Sequence, residues 1–201
     1  MNENFQSEIT PHNEDTGATP APKRSSCLGF LVDTVETILL ALVLFLAINA
    51  LSARVRVENV SMKPTLQPGE FLLVNRVAYK LGEPAIGDII VFHAPGNSEL
   101  DYIKRIIALP GDEVRVSDGT VFVNDQALYE SYISESPNYS GSWQVPPDEF
   151  FVLGDNRNNS SDSHLWGFVP REDIVGRALL IYWPISEMTL FNRQEIVQAA
   201  Q

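Results

Sequence analysis

Tyr102-Ile-Lys-Arg-Ile-Ile-Ala-Leu-Pro-Gly-Asp112 is a short apolar run closed by a turn signal. Residues 102–108 are rich in β-branched and aromatic side chains, which suit a pleated surface. Pro110-Gly111 then ends the run. In a strand, Lys104 and Arg105 point to opposite faces because successive side chains alternate. The same signature recurs on both sides of this stretch, at 54–57, 71–75, 88–92, 113–116, 120–123, 149–153 and 174–182. Glycine or proline punctuates these runs, and Asp118-Gly119 between two of them is a hairpin signal. Short β-rich runs with no helical period predict a mostly β fold. The expectation is a single β-rich domain of short antiparallel strands over residues 52–201. Residues 125–147 are polar and turn-rich and are expected to form a surface excursion.

Upstream the character changes. Residues 28–51 are apolar over most of their length, and a bilayer span needs about 20 residues. Asp33 and Glu36 weaken the first two turns, which places them near an interface or against a partner. A buried core helix and a cleavable export signal are the rival readings. The acidic leader of 27 residues is unlike the basic start of an export signal, so the reading is an uncleaved transmembrane anchor. Lys23 and Arg24 on one flank and Arg54 and Arg56 on the other leave the charge rule for orientation tied. Residues 1–27 hold few sizeable apolar side chains and are expected to be a disordered tail.

Composition narrows the function. The 201 residues carry 14 Lys+Arg against 26 Asp+Glu, a formal net charge of −12. A nucleic-acid partner needs a basic stripe, so none is expected. One cysteine, Cys27, excludes an intramolecular disulfide and a zinc site built on cysteine pairs. It also precedes the apolar run, which is the wrong side for a lipoprotein box. No glycine-rich dinucleotide or phosphate-loop fingerprint occurs.

Three segments could carry chemistry. In Asn59-Val-Ser-Met-Lys-Pro-Thr-Leu66, Pro64 extends the residue before it, so Ser61 sits at a bend just past a strand end. In the 102–112 segment only Lys104 could act as a base, since arginine stays protonated. It would need its pKa lowered by burial among neighbours such as Ile106 and Tyr102. The third, Gly154-Asp-Asn-Arg-Asn-Asn-Ser-Ser-Asp-Ser-His-Leu-Trp-Gly167, is a dense hydrogen-bonding loop. As a calcium loop it fails, with Arg157, Ser160 and Trp166 at positions three, six and twelve. A Ser61–His164–Asp162 triad remains open, as does a non-catalytic membrane-anchored β domain that binds partners.

Together these segments resemble the bacterial type I signal peptidases. The match runs through Ser61-Met-Lys-Pro-Thr-Leu66, Gly87-Asp-Ile-Ile-Val-Phe92, the 102–112 stretch, Gly154-Asp-Asn-Arg and Ser160-Ser-Asp-Ser163, in the family's order behind an apolar helix. The resemblance implies a single-pass membrane serine endopeptidase that needs no metal or cofactor. It would cut signal peptides from exported preproteins after small residues at −1 and −3. Its catalytic domain would lie on the export side of the inner membrane, or of a thylakoid membrane. It implies Ser61 as nucleophile, Lys104 as general base, and Ser160 hydrogen-bonded to the Lys104 amine, with Asp162 bracing the loop. Val55, Val57, Met62, Leu66, Tyr102 and Ile103 would line the substrate pockets. The chain departs from many members at two positions. Asn59 stands where they have an oxyanion-binding serine, and its amide, with the Ser61 N–H, would take that role. His164 stands where they have arginine, a feature similar to thylakoidal members.

Overall fold

The computed structural model describes residues 27–191 and 197–198, so the expected disordered tail lies outside the described residues apart from Cys27. The chain divides into two units, one ending at Val43 and the other starting at Leu44. Helix α1 spans Cys27–Leu51. Its stretch Gly29–Leu51 has a mean hydropathy of 2.4 over an 18-residue window, and none of that window is buried. At about 1.5 Å per residue the helix is long enough to cross a hydrocarbon core of roughly 30 Å. Its polar hydroxyls are satisfied within the helix, Thr34 Oγ1 by Phe30 O and Thr37 Oγ1 by Asp33 O. A helix apolar on every side and exposed on every side is suited to lipid rather than to water.

The second unit is built on two antiparallel sheets. Its strands are β1 (Ser52–Arg56), β2 (Phe71–Asn75), β3 (Ile89–Ala94), β4 (Asn97–Ala108), β5 (Glu113–Ser117), β6 (Thr120–Val123), β7 (Gln126–Tyr129), β8 (Gly141–Gln144), β9 (Glu149–Leu153), β10 (Val169–Pro170), β11 (Ile174–Trp183), β12 (Thr189–Leu190) and β13 (Val197–Gln198). The larger sheet runs β1-β2-β11-β3-β4-β9-β10, with β12 also on β11, and the smaller runs β13-β7-β6-β5-β8. The mostly β expectation therefore holds.

Local sequence explains the elements. Asp118 and Gly119 both have positive φ, 52° and 75°, and close the β5–β6 hairpin in which Ser117 faces Thr120. That geometry matches the right-handed twist of the strands. In β5 and β6 buried side chains alternate with partly exposed ones, so one face packs inward. In β3 the run Ile89-Ile-Val-Phe92 is buried on both faces. That is the pattern of a strand covered on both sides.

Residues 125–147 are not simply a surface excursion. They contribute β7 and β8 to the smaller sheet and bury Leu128, Tyr132 and Val145. Asn124 and Asp125, with φ of 50° and 63°, turn the chain from β6 into β7. Two residue types that tolerate positive φ do there what glycine does elsewhere.

Candidate active site

The chain leaves β1 through Val57, whose N–H donates to Glu70 O while its carbonyl accepts from Gly69 N–H. Residues 58–68 are thereby pinched into a loop that returns to β2. Met62 and Leu66 anchor this loop in an apolar cluster with Leu72, Val74, Ile89 and Val91. Leu66 N–H donates to Met62 O at 2.9 Å. Ser61, next to the Met62 anchor, is left half-buried and facing a cleft of about 440 Å³.

Lys104 reaches the same place from β4. Its residue is 4% exposed, and its Nζ stands 2.9 Å from Ser61 Oγ and 3.1 Å from Ile103 O. Burial disfavours the ammonium and brings the Lys104 pKa down from 10.5 to about 8, against the opposing pull of Asp162 and Asp155. Tyr102 supplies part of the apolar cover, its ring centroid 5.3 Å from Nζ.

Arg105 points to the opposite face, where its Nε and Nη2 donate to the two Asp155 oxygens at 2.8 and 2.7 Å. Thr65 Oγ1 also donates to Asp155, and Asn156 N–H donates to Ser61 O at 2.9 Å. The loop after β9 is therefore tied both to the serine segment and to the lysine strand. Gly154 lies between them, and a Cβ there would collide with Ser160 Oγ and the Ser61 carbonyl. A second buried pair, Arg157 with Glu130, joins that loop to the segment after β7.

The remaining residues fall out as follows. Val55, Val57, Met62, Tyr102 and Ile103 line the cleft, together with Asn59. Leu66, expected in the pocket wall, is fully buried in the core and does not line the cleft; its side chain is spent on anchoring the serine loop. Ser160 Oγ is buried but makes no hydrogen bond among the described residues, so the expected bond to Lys104 is not formed. Lys104 Nζ bonds Ser61 and the Ile103 carbonyl instead. Asp162 accepts the Gly154 N–H at 2.9 Å and caps the short helix α2 (Ser163–Trp166). His164 bonds Asp162 and stacks on Tyr139, and neither ring nitrogen bonds Ser61. The triad geometry is therefore absent from the described residues, and the group beside the serine is the lysine.

Sequence reasoning did not find Asp155, Arg105, Thr65, Glu130 or Arg157 as the brace of the site. No spacing rule pairs residues 50 positions apart. The only available signal was an arginine placed inside an apolar strand. The cleft walls also carry Glu58, Glu99 and Asp101 beside Arg56.

A hydroxyl held against a buried, weakly basic amine in an open cleft is arranged to add to a carbonyl; the class it defines is that of serine hydrolases. The family model described as signal peptidase, peptidase S26, matches residues 31–183, and the chain belongs to that family. It is similar to signal peptidase I of Leptolyngbya laminosa, 42% identical over 89% of this chain and 93% of that protein. It is 46% identical to the probable signal peptidase I-2 of Synechocystis, over 78% of this chain and 75% of that one. It is also 40% identical to thylakoidal processing peptidase 1 of Arabidopsis thaliana, over 75% of this chain and 48% of the plant protein. The chain is thus a signal peptidase of the serine protease kind, and its apolar helix fits membrane anchoring.

Proposed function

We propose that Ser61 and Lys104 form the catalytic dyad that cleaves the signal peptide. The observation that carries this reading is the 2.9 Å approach of the Lys104 amine to Ser61 Oγ, inside a site that withdraws the ammonium from water. Neutral Lys104 takes the hydroxyl proton as Ser61 attacks the scissile carbonyl, then gives it to the leaving amine. A water deprotonated by the same amine releases the acyl group. The oxyanion is bound by the Ser61 N–H, which has no acceptor among the described residues, and by the amide of exposed Asn59. Val55, Val57, Met62, Tyr102 and Ile103 shape shallow apolar pockets. In an extended peptide the −1 and −3 side chains fall on one side, where such pockets favour small residues.

The pH profile tests this. The active form is the free amine, so kcat/KM rises with pH through the Lys104 pKa of about 8 and levels above it. At pH 7 about a tenth of the lysine is then neutral, against on the order of one in two thousand for a lysine in water. Ser61→Ala and Lys104→Arg both abolish processing in a folded protein, because the guanidinium keeps the charge but cannot take a proton. His164→Ala retains most activity. A Lys104→Arg protein that still cuts, or a rate flat across pH 6–9, sinks the dyad.

Asn59→Ala is expected to lower turnover by about 10²–10³-fold, the scale for loss of one oxyanion donor, with Asn59→Ser recovering much of it. Normal turnover in the alanine protein would move the donor elsewhere.

The anchor is proposed to place the catalytic unit on the export side, beside substrates whose cleavage site follows their own apolar helix. Sharing one bilayer raises the effective concentration of both partners. Removal of residues 1–52 should therefore slow cleavage of membrane-embedded preproteins much more than of short soluble peptides. Equal loss on both substrates would refute this role.

A further inference from the structure

His164 bonds neither Ser61 nor Lys104, yet it bonds a carboxylate that acts on Lys104. Asp162 is fully buried. Its carboxylate accepts the Gly154 N–H at 2.9 Å and stands 2.5 Å from His164 Nδ1. Among the described residues no arginine or lysine pairs with it. The imidazole lies flat on Tyr139, centroids 3.9 Å apart at 7°, which fixes the ring plane. The His164 side chain keeps 13% of its surface, and Nε2 makes no hydrogen bond among the described residues, so this nitrogen can exchange a proton with water. The ring can therefore gain or lose a charge without breaking its bond to Asp162.

Asp162 and Asp155 are the carboxylates that act on Lys104, and the second has a fixed partner. Asp155, which also acts on Lys104, is held by Arg105, and Glu130 by Arg157. Tyr139, the other group against the imidazole, keeps its proton, because burial pushes its pKa above the ordinary value. Ser61, the Ile103 carbonyl and the Tyr102 ring stand against the amine itself. Of the two carboxylates that act on Lys104, Asp162 is the one whose counter-group can change charge; Asp101, paired with His93, also lines the cleft but is not one of them.

We propose that His164 is a positioning residue that tunes the basicity of Lys104 through Asp162. Neutral His164 donates Nδ1–H and leaves the full Asp162 charge to act on the amine. Protonated His164 cancels that charge. The sign follows from electrostatics: Asp162 favours the Lys104 ammonium, so neutralising Asp162 at acid pH releases more free amine. His164 therefore extends activity to lower pH than an uncharged hydrogen-bond donor in its place would. The coupling is reciprocal.

The inference rests on Lys104 being the base, and its test separates the two. The Lys104 amine is titrated by NMR in the full chain, ¹³C-labelled on lysine, in detergent micelles. The proteins compared are Ser61→Ala alone and with His164→Gln or His164→Arg, while kcat/KM against pH is measured in the matching proteins that keep Ser61. His164→Gln holds the Asp162 pair at one negative charge and His164→Arg holds it neutral. The Lys104 midpoint should be higher with His164→Gln than with His164→Arg by about one pH unit or more, since one charge within about 12 Å at an effective dielectric of about 20 is worth at least about 1.4 kcal/mol. The native ring should follow the arginine protein on the acid side and the glutamine protein on the alkaline side. The kcat/KM midpoint should move in step while KM stays level. Equal Lys104 midpoints in the two variants overturn the inference. Midpoints that separate by NMR with no change in the rate profile support it and remove Lys104 from the role of base. Should His164→Arg fail to fold, the His164 imidazole is titrated in the native chain and in Lys104→Met. Its midpoint should rise when the neighbouring ammonium is removed, and an unchanged value overturns the inference.

Discussion

Lys104→Met should abolish cleavage and, at the same time, make the protein more stable at neutral pH. Native Lys104 must hold an ammonium where only 4% of the residue is exposed. Its pKa is about 8 in the folded chain against an ordinary 10.5. Below pH 8 the amine is charged in both folded and unfolded chains, and the folded state bears the full burial penalty. Between about 8 and 10.5 the folded chain gives up its proton first, and the penalty fades. Above 10.5 both forms are neutral and none remains. The shift corresponds to about 3 kcal/mol. Loss of the bonds to Ser61 and Ile103 O takes back part of that, about 1 kcal/mol for a typical bond. Methionine has similar length and no charge to bury, so a gain of about 1–3 kcal/mol is expected at pH 7, dwindling as pH climbs from about 8 to 10.5. Urea midpoints at pH 7 and pH 10 check it. A variant less stable than native at pH 7 would show that the lysine is not strained by burial. The expectation is a site that trades stability for chemistry.

Asp155→Ala should be the most damaging single change to the fold outside the apolar core. Asp155 and Arg105 are both buried, with side-chain exposures of 0% and 2%, and meet in a bidentate pair. Removal of the carboxylate leaves an arginine that cannot lose its proton inside the protein. Breaking one partner of such a pair costs about 3–5 kcal/mol. That is a large share of a stability of roughly 5–15 kcal/mol. Thr65 also loses its acceptor, so the serine loop loosens even where the chain still folds. Replacing both partners, as Asp155→Leu with Arg105→Met, should recover most of the loss, because no charge then stays unpaired. Chemical denaturation of the single and double variants decides it. A loss under about 1 kcal/mol for Asp155→Ala would mean that water reaches the arginine.

The two expectations turn on Lys104 and Arg105, neighbours on one strand, and they mark the boundary between local and tertiary information. The alternation in residues 102–108 already set Lys104 and Arg105 on opposite faces. Apolar runs bounded by glycine and proline made the mostly β fold legible, because side-chain period and turn chemistry are written in a few consecutive residues. The 24 residues at 28–51 declared a helix suited to lipid for the same reason. Asp118-Gly119 named its hairpin. Asn124-Asp125 did the same work for β7 and passed unread, since neither residue demands a turn as glycine does. The polar, turn-rich run that holds β7 and β8 therefore reads, from sequence alone, as an excursion.

Partnership was decided only by tertiary structure. That Ser61 Oγ meets Lys104 Nζ 43 positions away depends on the pinched loop between β1 and β2 and on β4 passing beneath it. Sequence motifs could suggest the pair but not a distance. Leu66 shows the converse. The family resemblance put it in a pocket wall, yet the loop needs an apolar anchor, and the core took it. Ser160 lies next to Gly154, and the family resemblance set it on Lys104, but its buried hydroxyl has no hydrogen-bond partner among the described residues. The charges that matter most, Asp155 on Arg105 and His164 on Asp162, follow from burial. A charge withdrawn from water must find a counter-group or shift its pKa, and which group is within reach is a property of the folded chain alone.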